Sequence, residues 1–163
     1  MTEKFRKNGG FTLVELLIII GIIGILFAVI LIAVDPARRF SESRDAVRRQ
    51  DVRDILEAVV EYMADNRGNY PTNIDTVPAS IQLLGTDLGC NGSACAGYVT
   101  TSIASACSNL NSSLVETYLA AIPPDPLTGT AGNTRYYINR KTGNRIEVGA
   151  CDPERVTSIS VKR

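Results

Sequence analysis

The sequence predicts an α+β protein: a long N-terminal α-helix, half transmembrane and half amphipathic, packed on a small antiparallel sheet. Three observations carry this. Residues 11–34 (FTLVELLIIIGIIGILFAVILIAV) hold one charge, Glu15, and one hydroxyl, Thr12. Residues 37–66 then become charged, with Val52, Ile55, Leu56, Val59, Tyr62 and Met63 recurring at three- and four-residue steps on one helix face. Towards the C-terminus, residues 135–140 (RYYINR) and 145–151 (RIEVGAC) flank Lys141-Thr142-Gly143-Asn144, a hairpin turn.

As a helix, the apolar run spans about 36 Å, more than the ~30 Å hydrocarbon core of a bilayer. The segment before it, MTEKFRKNGG, is basic through Lys4, Arg6 and Lys7, which keeps the N-terminus cytoplasmic and sends the rest outward. An ordinary secretory signal has a shorter apolar region followed by a small-x-small cut site. Here the small pair, Gly9-Gly10, precedes the run, and Val34-Asp35-Pro36 follows it. A cut between Gly10 and Phe11 therefore leaves the helix on the product. Glu15 is an isolated acid in an apolar helix. Such a group costs roughly 2.5–3.5 kcal/mol near the bilayer centre and less near one end, so it seeks a partner. Outside lipid, each large apolar side chain left in water costs about 1.5–3 kcal/mol. Lipid and a bundle of like helices are the two environments that suit this segment.

Gly10-Phe11-Thr12-Leu13-Val14-Glu15-Leu16, after a basic leader and before an unbroken apolar helix, resembles the class III signal sequence of type IV prepilins and pseudopilins. The resemblance covers roughly residues 4–35 and implies a pilin-like fold. It implies that a prepilin peptidase cuts between Gly10 and Phe11 and N-methylates Phe11. It implies that Glu15 directs subunit assembly by pairing with the freed Phe11 amine of a neighbouring copy. The partners it implies are membrane lipid before assembly, an inner-membrane assembly platform, and copies of the chain itself in a helical filament. The protein is then a single-pass cytoplasmic membrane protein with its head outside, and later part of an extracellular pilus or fimbrium, or of a periplasm-spanning pseudopilus. The expected role is structural and non-enzymatic, with a pseudopilin of a type II secretion or DNA-uptake (competence) system as the alternative. Gly21 and Gly24 suit close helix packing or, as in the family, local unwinding. Many relatives carry proline where this sequence has Ile32; here the proline is Pro36.

The expected organisation is a leader at 1–10, a transmembrane and polymerisation helix at 11–35, an amphipathic helix at 36–67 and a disulfide-stapled head at 68–163. Asn66-Arg67-Gly68-Asn69-Tyr70-Pro71 stops the second helix. Charges alternate in sign along that helix (Asp45–Arg48, Arg49–Asp51, Arg53–Asp54) and are expected to be solvated, with docking of adjacent subunits in a filament as the alternative. Residues 80–84 and 114–121 are expected as short helices, 97–101 as a short strand, and 156–161 as a third strand of the sheet. Asn91 and Asn111 head glycosylation sequons that arise often by chance.

Cys90, Cys95, Cys107 and Cys151 lie beyond the membrane segment, on the oxidising side. Of the three possible pairings, spacing favours Cys90–Cys95 with Cys107–Cys151. A zinc site is poorly supported, for the spacing is loose and the chain has no His. No metal or other cofactor is expected. Asp125, in Pro123-Pro124-Asp125-Pro126-Leu127-Thr128-Gly129, vaguely resembles the calcium loop of major pseudopilins, but one Asp with Thr128 is a thin oxygen set, and a proline-rich turn is the preferred reading. The 17 basic residues balance 17 acidic ones, so no net field draws nucleic acid.

Overall fold

A computed structural model of the chain describes residues 10–90, 95–98 and 102–163. The leader apart from Gly10, and the sequon at Asn91, lie outside the described residues, as does most of the strand expected at 97–101. The chain divides into two units, Met1–Arg39 and Phe40–Arg163.

Helix α1 (Leu13–Val34) runs without interruption through Gly21 and Gly24. A Cβ on either glycine would meet nothing within 4 Å. Asp35 ends α1 in the left-handed region, at φ 44° and ψ 73°, and starts α2 (Pro36–Asp65). Its Oδ1 accepts the Arg38 N–H at 3.3 Å, and Pro36 occupies the first helical position, where no N–H is needed. The helix thus breaks at the proline that the sequence offers. At the other end of α2, Arg67 and Gly68 have φ of 58° and 83°, and the Gly68 N–H closes on the Met63 carbonyl at 2.7 Å.

The head carries a five-stranded sheet in the order β2-β1-β3-β4-β5. Its strands are β1 (Ser80–Leu83), β2 (Ser102–Ile103), β3 (Tyr136–Lys141), β4 (Arg145–Ala150) and β5 (Ile159–Lys162), with a one-turn α3 (Asn111–Leu114) between β2 and β3. The β3–β4 hairpin falls where the alternation placed it, and β5 begins three residues later than the strand expected at 156–161. Two expectations change. Residues 80–84 form strand β1, paired antiparallel to β3 at Gln82↔Ile138 and Leu83↔Tyr137. The helix expected at 114–121 lies earlier, and Glu116 at φ 72° rules out its continuation. Strands β1, β3, β4 and β5 pair antiparallel, as expected, and the two-residue β2 joins β1 in parallel.

Both faces of the sheet are covered. Val52, Ile55, Leu56 and Val59 of α2 pack on the face made by Tyr136, Ile138, Ile146, Val148 and Ile159, with Tyr62 and Met63 at the margin. Side chains alternate across a strand, so Tyr137 points the other way. It packs there with Ile81, Leu83, Cys90 and Cys151.

All four cysteines are bonded, as Cys90–Cys107 with Cα atoms 5.2 Å apart and Cys95–Cys151 with Cα atoms 4.4 Å apart. This corrects the expected Cys90–Cys95 and Cys107–Cys151 pairing. The backbone supplies the reason. The Cys90 N–H donates to Ser105 O and the Cys107 N–H to Asp87 O, which lays 87–90 beside 105–107, while the Gly97 N–H donates to Cys151 O and brings Cys95 to the end of β4.

Candidate functional site

The first feature is the start of α1. Thr12 is its N-cap, with φ −79° and ψ 152°. The Thr12 Oγ1 accepts the Glu15 N–H at 3.2 Å, and Glu15 Oε2 accepts both the Thr12 N–H and the Thr12 hydroxyl at 2.9 Å. This reciprocal capping box satisfies two backbone donors that a helix end leaves open. Glu15 is therefore held locally, one turn from Phe11, with its accepting bonds concentrated on one oxygen. Phe11 is 78 % exposed and Gly10 is open to solvent, which suits a protease cleft.

No residue of α1 is buried. Its large apolar side chains are between 41 % (Ile19) and 84 % (Ile32) exposed. At 22 residues the helix is about 33 Å long, enough to cross a ~30 Å hydrocarbon core. It is the one such helix among the described residues.

The second feature, in the head, is an ionic clasp that the sequence reading missed. Arg48 and Asp45, expected to be solvated, are buried on α2. Arg48 Nε and Nη2 donate to the two oxygens of Asp125 at 2.6 and 3.0 Å. Its Nη1 donates to Asp45 Oδ1 at 2.9 Å and Glu154 Oε1 at 2.8 Å. Asp45 also accepts the backbone N–H groups of Glu154 and Arg155, at 3.0 and 2.8 Å. Arg44 grips Glu154 through two bonds of 2.6 and 2.5 Å. A fork-shaped guanidinium matched to carboxylates and fully desolvated makes strong, directional bonds.

Burial by itself would raise the Asp45 and Asp125 carboxyls. For Asp45 the two backbone donors and Arg48 outweigh it; for Asp125 Arg48 and the N–H groups of Leu127 and Thr128 do so. Both end below the usual carboxylate range. The Arg44 bond, with Arg48 behind it, pulls the Glu154 carboxyl down to about 2. Burial together with the carboxylate of Asp51 pushes the Tyr136 hydroxyl, which donates to that carboxylate at 2.6 Å, upward.

The proline-rich turn at Asp125 is thus a structural knot. Both Asp125 oxygens are engaged by Arg48, and Oδ1 also accepts the N–H groups of Leu127 and Thr128 at 2.9 and 3.0 Å. A Cβ on Gly129 would sit 2.2 Å from the Asp125 nitrogen, so the turn admits no side chain there. A cation at Asp125 would have to displace the guanidinium. No group of three or more His, Cys, Asp or Glu is gathered for a metal ion among the described residues.

Signals for the clasp were present only in part. Asp45, Arg48, Val52, Ile55 and Val59 continue one stripe at three- and four-residue steps, so periodicity alone puts the two charges on the buried face. Nothing near Asp125 or Glu154 in the sequence marks them as their partners.

Residues 5–31 match a family model, the prokaryotic N-terminal methylation motif. Comparison with curated proteins and with solved structures gave no match. The chain thus carries at its N-terminus the class III signal peptide found on type IV pilins and pseudopilins.

Proposed function

We propose that the chain is the structural subunit of a type IV pilus-like filament, cut between Gly10 and Phe11, N-methylated on Phe11, and polymerised through residues 11–35. The observation that carries this reading is an apolar 22-residue helix with no buried residue, beside a methylation motif. Apolar surface on that scale is tolerable in lipid, and after extraction from lipid only among other copies of the same helix.

Glu15 then has a definite task. Before assembly its carboxylate rests on the neutral donors of Thr12. The amine that cleavage frees on Phe11 of an adjacent copy is a charged donor, and charge-assisted bonds are roughly twice as strong as neutral ones. Exchange of one for the other favours the assembled state without leaving Glu15 bare in the membrane. The head at 68–163 faces outward, and the assembly platform and peptidase act at the cytoplasmic membrane. A pseudopilin of a secretion or DNA-uptake system would use the same residues in the same way, and the abundance of shed fibres separates the two roles.

Glu15→Ala tests the assignment. It is expected to leave membrane insertion intact and abolish filaments. Normal fibres from that variant would remove Glu15 from the mechanism.

A further inference from the structure

From Arg44 to Asp65, α2 carries ten charged residues. Six have partners: Arg44 and Glu154, Asp45 and Arg48 in the clasp, Asp51 and Tyr136, Asp54 and Gln50, Asp65 and Tyr118. The other four are Arg49, Arg53, Glu57 and Glu61. They are exposed, and none of their side chains forms a hydrogen bond or an ion pair among the described residues.

These four follow one another at four-residue steps, as one ridge of the helix, with two positive charges and then two negative ones. The order does not help a lone head. Arg49–Arg53 and Glu57–Glu61 are like-charge neighbours at i,i+4, which oppose the helix, and Arg53–Glu57 runs in the weaker direction for such a pair. The pattern does suit a second copy of itself. Parallel helices in register set like against like. An offset of four residues matches Arg53 with Glu57 but sets Arg49 on Arg53 and Glu57 on Glu61. An offset of eight residues, about 12 Å along the axis, matches both Arg49 with Glu57 and Arg53 with Glu61 and leaves no like pair. An offset of twelve keeps only Arg49 with Glu61.

We propose that the Arg49, Arg53, Glu57, Glu61 ridge is a self-complementary docking surface, on which a second copy of this chain lies parallel and displaced by about 12 Å. This rests on the filament reading above, which requires copies of α2 to point the same way. Opposite charges on a rim act mainly by fixing register and excluding wrong partners, and here they fix the offset between subunits.

The test uses the full chain in cells that assemble it. Arg49→Glu/Arg53→Glu and Glu57→Arg/Glu61→Arg each set four like charges together and are expected to lower sheared filaments about tenfold, with unchanged chain in the membrane. Combining all four substitutions inverts the ridge, restores both pairs at the same offset, and is expected to return filaments to within about twofold of the parent. Arg53→Cys/Glu61→Cys filaments treated with a short thiol cross-linker should give a ladder of covalent multimers, and Arg53→Cys alone none. Undiminished filaments from both double reversals, a quadruple variant no better than the doubles, or no ladder would each overturn the proposal and leave the ridge a solvated face. A parent chain that makes no filaments in those cells would overturn the filament reading, and this inference with it.

Discussion

Replacing Arg48 by Met removes the hub of the clasp while keeping the length of its stem. The guanidinium is fully buried and makes four hydrogen bonds to three carboxylates. Its loss leaves Asp125 and Asp45, 3 % and 1 % exposed, without their counter-charge. Removing one partner of a buried ion pair costs ~3–5 kcal/mol, because the other charge stays desolvated and uncompensated. For a head of this size that corresponds to a fall in Tm of about 10–25 °C. The assay is thermal unfolding of the full-length chain in detergent, followed by near-ultraviolet circular dichroism. All six tyrosines lie from Tyr62 onward and none lies in α1, so that signal follows the unit Phe40–Arg163. Arg49→Met, one position along and without an ionic partner, should shift Tm by no more than about 2 °C. A fall of less than about 3 °C for Arg48→Met would refute the reasoning, and would mean that water or rearranged donors satisfy the two aspartates as well as the guanidinium does.

Three further outcomes follow from the same structure. Asp45, Asp125 and Glu154 have carboxyls held below their ordinary values, so the stability they lend is complete above the unfolded-state range and is lost as pH falls through the folded values. Head stability should therefore decline from about pH 4.5 towards about pH 2, opposed by Asp51, which burial shifts the other way; a flat profile across that window, read by urea unfolding, would contradict the clasp. Peptide mapping of unreduced protein should recover Cys90 with Cys107 and Cys95 with Cys151, and loss of the second bridge should cost more, ~4 against ~3 kcal/mol, because it closes the longer loop. Glu15→Ala should separate insertion from assembly, as set out above.

Much of the fold could be read in advance because its signals are local. An uninterrupted apolar run defines α1, a three-four rhythm of Val52, Ile55, Leu56 and Val59 names the buried face of α2, and Gly143-Asn144 between alternating segments makes the β3–β4 turn. The N-terminal methylation motif was legible for the same reason, since it is one contiguous run of residues. What escaped was non-local. The cysteine pairing depends on which backbone segments lie side by side, and a close spacing such as Cys90 to Cys95 is a poor guide to that. Residues 80–84 read as a helix because five residues fit either period, and the pairing with β2 and β3 makes 80–83 a strand. Arg48 is the instructive case. Its position on the apolar stripe was visible, yet its charge argued for solvent, and the carboxylates that reconcile the two stand 77 and 106 residues away.

The central claim is that the chain is cut to expose a helix that only lipid or its own copies can cover. The mass of the chain recovered from surface-sheared fibres tests it most directly. The account predicts a polypeptide that begins at Phe11 and is one methyl group heavier than its sequence. A chain that keeps residues before Phe11, or that is recovered as a monomer in water without detergent, would contradict it.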